Sequence, residues 1–94
     1  MSKSIISNDR ECFFCKSTLN LEKHHIWKGV SNRKNAEKYG LWVYLCHYHH
    51  TGSNEAVHFN RSADLYLMQL SQIEWEKKYG NREDFRKVFG KSVL

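Results

Sequence analysis

Proline, cysteine and long apolar runs are scarce in this sequence, and each scarcity narrows the class of protein. The 94 residues include no proline and only three cysteines, and no segment resembles a signal peptide or a membrane span. An odd number of cysteines argues against a secreted disulfide framework. The sequence therefore predicts a cytoplasmic protein with no membrane contact.

The length predicts one small domain that needs more than a hydrophobic core. A domain of this size buries only about 60–65% of the surface that its unfolded chain exposes, which leaves it marginally stable. Clustered thiols in a reducing compartment are more often metal ligands than disulfide partners. We therefore expect a structural Zn²⁺ ion to stabilise the fold.

The charge of the chain favours a polyanionic partner. Lysine and arginine outnumber aspartate and glutamate by 15 to 10, for a formal net charge of +5. Neutralised phosphates release condensed counterions, so this excess is suited to nucleic acid. Because mildly basic small proteins are common, the net charge alone is weak evidence for nucleic-acid binding and needs support from specific residues.

The residue pattern predicts an α+β fold, with a small zinc-stapled β-hairpin core and C-terminal helices. Aromatic and β-branched residues predict strands over about Leu21 to Ile26 and Leu41 to Cys46. The polar, aperiodic start predicts a flexible segment. The expected divisions are 1–10 for the flexible N-terminus and 11–94 for the single domain, with its core in 11–60 and its helices in 61–94.

Capping residues predict three helices. A short one between the strands ends at Gly40, and a long one runs to about Tyr79 before a final short helix. The long helix is apolar on two sides, so it needs a second partner besides the zinc module. That partner is the final helix or a second subunit. The second alternative permits a homodimer. The candidate N-caps are Ser31 or Asn32, Asn60 or Ser62, and Asn81.

Two pairs of soft ligands predict a structural zinc site. Cys12-x-x-Cys15 and Cys46-x-x-His49 have the same two-residue spacing, and the second pair follows a predicted strand. Two such turns can together supply the tetrahedral set of ligands that Zn²⁺ requires. The alternative is that the cysteines are small buried apolar residues.

Histidines beyond the zinc pairs suggest a second constellation. His24, His25, His50 and His58 remain unassigned, and neutral imidazole both binds divalent metals and accepts a proton near neutral pH. A strand-borne histidine pair beside a metal-binding histidine is suited to phosphodiester hydrolysis. His24 as a buried, hydrogen-bonded strand residue is the alternative.

The ordered combination of "HHI", a long loop and "LCxxHH" inside two zinc pairs resembles the HNH endonucleases with their ββα-metal fold. Small phage-encoded members are the most similar, since the loop "GVSNRKNAEKYGL", the segment "AVHFN" and the stretch "WEKKYGNREDFRKVFG" have counterparts there. The resemblance covers about Glu11 to Leu94. It implies a DNA-cleaving enzyme of phage recombination, replication or packaging, acting in the bacterial host cytoplasm.

The resemblance implies roles for individual histidines. His24 and His50 would be ligands of a catalytic divalent metal (Mg²⁺, Mn²⁺, Ni²⁺ or Zn²⁺), and His25 the general base. His58 is our choice for a further ligand because it can fold back beside His50. Asn54 competes, since residues i and i+4 of a helix share a face.

Two features depart from the family's pattern. The second strand, "LWVYLC", lacks the family's middle asparagine, and Asn32 and Asn35 are both candidates to replace it. Neighbouring strand residues also point to opposite faces, so His24 and His25 can serve one phosphate only where the strand ends or distorts.

Basic residues near the histidines predict a nucleic-acid interface. Positive side chains would contact phosphates, and an aromatic ring could stack on a base or wedge beside it. The predicted contacts are Trp27, Lys28, Arg33, Lys34 and Lys38. A non-catalytic zinc-ribbon module that binds nucleic acid is the main alternative function, and a protein-interaction module is the third.

Overall fold

The computed structural model describes residues 3–94, and Met1 and Ser2, part of the expected flexible start, lie outside the described residues. The predicted α+β class is confirmed, with a two-stranded antiparallel sheet and helices around it. In chain order the elements are β1 (Leu21–His25), α1 (Val30–Tyr39), β2 (Trp42–Cys46), α2 (His47–His50), α3 (Arg61–Lys78) and α4 (Arg82–Phe89).

The two strands form the predicted hairpin. Leu21 pairs with Cys46 at one end and His25 with Trp42 at the other. Because β1 ends at His25, the alternation of strand faces stops there. The chain then turns through Gly29, whose φ of 99° favours glycine.

The helix between the strands has a predicted end and an unpredicted start. Gly40 ends α1 in the left-handed conformation with φ 75°, as expected. The N-cap is Gly29, which makes no side-chain capping bond. The prediction of Ser31 or Asn32 as the cap is therefore wrong, because both residues lie inside α1.

The C-terminal helices begin at the predicted caps. The Asn60 side chain accepts a hydrogen bond from the Ala63 N–H at the start of α3. Asn81 and Asp84 form a reciprocal capping box at the start of α4. Helix α3, which was expected to be apolar on two sides, buries Leu67 but leaves Tyr66 exposed. Within residues 3–94, no helix is both long and apolar enough to cross a membrane.

Trp27 belongs to the aromatic core, so its predicted stacking on a nucleic-acid base is wrong. Its side chain is 1% exposed, and its Nε1–H donates to Ser71 Oγ at 2.9 Å. The ring centroid lies 5.1 Å from that of Phe85 and 5.3 Å from that of Phe89. A buried indole that packs on these rings and is satisfied at its N–H leaves little ring surface for stacking on a base, although Trp27 also lines the cleft beside β1.

Ser4 and Ile5, within the segment predicted to be flexible, are hydrogen-bonded to the rest of the domain. Ser4 is buried, and its Oγ–H donates to the Trp42 carbonyl oxygen at 2.6 Å. The Ile5 N–H donates to the Gly40 carbonyl oxygen at 2.9 Å. The segment therefore covers the turn between α1 and β2.

We predict that Gly40→Ala destabilises the protein more than Gly90→Ala. Both glycines have positive φ, but a Cβ at Gly40 overlaps the Lys3 backbone oxygen, whereas no atom lies within 4 Å of one at Gly90. The left-handed conformation alone costs about 1–2 kcal/mol for a residue with a Cβ. Chemical denaturation should show a loss in the free energy of unfolding that is about twice as large or more at Gly40, and equal losses would contradict this packing.

Candidate metal centres

The two predicted zinc pairs meet in space. Their ligand atoms all lie within 4.8 Å of one another. We call this group the thiolate cluster: Cys12, Cys15, Cys46 and His49.

The spacing within the thiolate cluster fits a tetrahedral ion. Cys15 Sγ lies 3.7 Å from Cys46 Sγ, and His49 Nδ1 lies 3.7 Å from Cys12 Sγ and 3.3 Å from Cys46 Sγ. Zinc–sulfur and zinc–nitrogen bonds of about 2.3 and 2.0–2.1 Å at tetrahedral angles give edges of about 3.8 Å and 3.6 Å. The described geometry therefore fits a metal such as zinc.

Local backbone structure forms each half of the thiolate cluster. The Lys16 N–H donates to the Cys12 carbonyl oxygen at 2.9 Å, which closes a tight turn, and Lys16 has φ 66°. Cys46 ends β2, and His49 lies one turn later in α2. The Phe13 N–H donates to the Tyr44 carbonyl oxygen at 2.9 Å, which joins the first turn to the strand.

The electrostatics of the sulfur atoms also favour a cation. Burial opposes ionisation of the Cys12 thiol, but N–H groups of Cys15, Cys46 and Phe14 outweigh it, so the pKa of Cys12 is lowered. Burial raises the pKa of Cys46. Holding both as thiolates in one small volume is unfavourable without a positive ion between them.

We predict that removing the metal from the thiolate cluster unfolds the chain. A strong chelator or Cys46→Ala should abolish the cooperative thermal transition followed by circular dichroism, because structural zinc supplies folding free energy directly. His47→Ala is the matched control, since His47 is exposed and lies outside the cluster. A metal-free chain with an unchanged melting temperature would contradict the structural role.

A second group of ligands is formed by histidines from β1, α2 and the segment after α2. The three candidate ligand atoms of this histidine cluster, His24, His50 and His58, also lie within 4.8 Å of one another. His58 folds back as expected, since the Val57 N–H donates to the His49 carbonyl oxygen at 2.8 Å and the His58 N–H to that of His50 at 3.4 Å. Asn54 is exposed in the intervening turn. Of the two candidates, the structure therefore brings His58 to the site.

The buried nitrogen of His24 is consistent with a metal ligand. His24 is 2% exposed, and its Nε2 has no hydrogen-bond partner among residues 3–94. Burial, with smaller contributions from His50 and His58, lowers the pKa of His24 to about 3. A neutral imidazole with an unpaired nitrogen is the form that binds divalent metals. The alternative of a hydrogen-bonded strand histidine does not account for this atom.

Glu22 orients His50 and was not identified from the sequence. The His50 Nδ1 lies 2.7 Å from Glu22 Oε1. This hydrogen bond is the main reason that the pKa of Glu22 is lowered, so the carboxylate accepts and Nδ1 carries the hydrogen. His50 Nε2 is then free to bind a metal, as in carboxylate–histidine pairs that support metal ligands. It lies 3.1 Å from His58 Nε2. The alternation of side chains along a strand could have identified Glu22, because it places Glu22 on the same face of β1 as His24.

His25 shares a cleft with the histidine cluster. This histidine cleft has a volume of about 460 Å³ and is lined by both His24 and His25. Two neighbouring histidines can line one cleft because β1 ends at His25, which is the condition expected from the sequence. The His25 Nε2 lies 2.9 Å from Glu37 Oε1, on α1.

The predicted phosphate-contacting cations divide into two groups. Lys28 and Arg33 line the histidine cleft, and Lys34 lines an adjoining pocket with His25 and Arg33. Lys38 lies near the end of α1, with its Nζ 5.3 Å from the Tyr39 ring centroid, and does not line the cleft. Three of the four cations are therefore near His25.

A buried carboxylate that the sequence analysis missed holds one of these cations. Asp64 is 7% exposed, and its Oδ2 lies 3.3 Å from Lys28 Nζ. Its Oδ1 is buried and has no hydrogen-bond partner within the described chain. Asp64 therefore holds the ammonium of Lys28 at the edge of the cleft.

Comparison with known proteins gives no relative for this chain: no protein-family model, no curated protein and no solved structure matches it.

We predict that the histidine cluster binds a second divalent ion that is not needed for folding. Titration calorimetry of the zinc-loaded chain with Ni²⁺ should show one site that His50→Ala removes, while the melting temperature of the zinc-loaded variant is retained. Glu22→Leu should weaken binding by about ten- to a hundredfold, because it releases His50. Lys87→Ala, an exposed change on α4, should bind normally. Binding that survives His50→Ala would exclude this cluster.

Proposed function

We propose that this chain is a metal-dependent endonuclease of the HNH type, with a ββα-metal core, that hydrolyses phosphodiester bonds in DNA. The observation that carries the proposal is the placement of His25 beside the histidine cluster in one cleft. That cleft combines a candidate metal centre, a candidate base and positive charge, which are the three requirements for hydrolysing a phosphodiester.

The histidine cluster would hold the catalytic ion. His24, His50 and His58 offer neutral nitrogen ligands, and a divalent metal bound there supplies Lewis-acid charge to a phosphate oxygen. Imidazole ligands suit Zn²⁺ and Ni²⁺ better than Mg²⁺, which prefers oxygen. His24 and His50 also keep their ring orientations through burial and through Glu22.

His25 is suited to accept the proton of the attacking water. Its Nε2 is occupied by Glu37, which leaves Nδ1 as the acceptor in a neutral ring. His25 lies at the end of β1, and its side chain is 15% exposed. A water molecule can therefore reach the ring while the ring itself stays fixed.

The cations of the cleft are suited to hold the DNA backbone. Lys28 and Arg33 line the same cavity as the histidines, and their charges can bind non-bridging phosphate oxygens. The net charge of +5 favours the approach of a polyanion. The resemblance of "HHI" and "LCxxHH" to HNH endonucleases supports the same assignment by analogy.

We predict metal-dependent nicking of supercoiled plasmid that His25→Ala abolishes. A positioned general base contributes about 10²–10⁴-fold to the rate, so kcat should fall by that factor in saturating Mn²⁺, Ni²⁺, Mg²⁺ or Zn²⁺. Lys87→Ala, an exposed change on α4 outside the cleft, should keep the wild-type rate. Gel electrophoresis of the relaxed product measures both variants.

Two results of this assay would contradict the proposal. DNA retardation without nicking in any of these ions would leave a non-catalytic nucleic-acid-binding module. Nicking that His25→Ala leaves unchanged would remove His25 from the chemistry.

A further inference from the structure

The carboxylate of Glu37 is bonded to the candidate base. Glu37 Oε1 lies 2.9 Å from His25 Nε2 and 2.6 Å from Lys23 Nζ. Hydrogen bonds from Lys23 and from His25 lower the pKa of Glu37. An ionised carboxylate can only accept, so the hydrogen of this bond belongs to His25 Nε2.

The surroundings of Glu37 limit its movement. Its side chain is 35% exposed, and Oε2 is buried with no hydrogen-bond partner in residues 3–94. Lys23 is itself held, with Nζ 4.3 Å from the Trp42 ring centroid. Lys23 and His25 therefore contact the same carboxylate oxygen of Glu37.

We propose that Glu37 is a positioning residue for His25: it fixes the imidazole as the Nε2–H tautomer and aims Nδ1 at the attacking water. This inference rests on the proposed nuclease function. It extends that function to a residue on α1, outside both metal centres. A base held by a third group in one tautomer is the arrangement that activates nucleophiles in many hydrolases.

The geometry of α1 favours Glu37 over the two asparagines considered from the sequence. Val30, Arg33, Lys34 and Glu37 have helical spacings of three and four, and all line the pocket that contains His25. The Asn35 amide instead donates to the Val88 carbonyl oxygen at 3.1 Å. Asn32 is two residues from Val30, on another side of the helix.

The competing explanation is a structural ion pair between Glu37 and Lys23. Partly exposed ion pairs contribute little to stability, and one with only that role would act on folding, with no effect on the tautomer of His25. The variants Glu37→Leu, Glu37→Gln and Lys23→Met separate the two explanations. Leucine removes the acceptor, glutamine keeps a neutral acceptor, and Lys23→Met removes only the ion pair.

The deciding measurement is the tautomer of His25 in the zinc-loaded full chain. Long-range ¹H–¹⁵N correlation spectra, recorded without paramagnetic ions and at mildly alkaline pH, identify the protonated ring nitrogen. We expect Nε2–H in the wild type and in Lys23→Met, and a mixture of tautomers in Glu37→Leu. Circular dichroism and the resonances of His49 confirm that each variant is folded.

Plasmid nicking at saturating metal provides the second readout. Glu37→Leu should lower kcat by about ten- to a hundredfold with KM unchanged, a smaller loss than that of His25→Ala. Glu37→Gln should recover part of that loss. Lys23→Met, which leaves the carboxylate acceptor in place, should lower kcat less than Glu37→Leu does.

The two readouts distinguish the failure of this inference from that of the proposed function. If the wild type nicks DNA while folded Glu37→Leu keeps both the tautomer and kcat, the positioning role is overturned and the nuclease function stands. If Lys23→Met and Glu37→Leu cause equal losses, the pair is structural. If the wild type nicks no DNA with any of the four ions, the nuclease function is overturned, and a role for Glu37 in catalysis with it.

Discussion

The meeting of three sulfur atoms and one imidazole is the constraint on which the rest of this fold depends. Cys12 and Cys15 precede β1, Cys46 ends β2 and His49 follows it, so the thiolate cluster ties the open end of the hairpin. At this end of the hairpin, Leu21 pairs with Cys46. The next residues along each segment, Glu22 and His50, are then brought together at 2.7 Å. The first centre therefore helps to position the second, because His50 directly follows His49 in the sequence. A chain of this size has little other means of holding such polar groups in place.

Two histidines that line the histidine cleft are bonded to carboxylates, each through a different ring nitrogen. Glu22 takes the Nδ1 hydrogen of His50, which leaves Nε2 for a metal. Glu37 takes the Nε2 hydrogen of His25, which leaves Nδ1. Two imidazoles in one cavity thus present different nitrogens, and in each case the carboxylate decides which nitrogen is free. In the proposed function, this arrangement would keep the metal ligand His50 and the base His25 chemically distinct although both are histidines and line one cleft.

Helix α1 connects the site to the aromatic core. On one side Glu37 and Arg33 face the pocket at His25. On the other, Asn35 bonds to the Val88 carbonyl oxygen in α4, whose Phe85 and Phe89 pack on Trp27. The C-terminal helices therefore contact the helix that carries Glu37, the residue proposed to orient His25, even though they contribute no side chain to the thiolate or histidine cluster. Buried contacts of this kind are stiff because protein interiors are close-packed.

Local patterns in the sequence were sufficient for the hairpin, the caps Asn60 and Asn81, the two zinc pairs and the return of His58 beside His50. These features depend on residue type and short spacing, which act within a few residues of the chain. Contacts between distant elements were beyond such patterns. Glu22, Glu37 and Asp64 resemble ordinary surface carboxylates in the sequence, and Trp27 beside Lys28 resembles a nucleic-acid contact as much as a core residue. Their partners depend on which faces of β1, α1 and α3 pack together, and that packing is settled by burial summed over the whole chain.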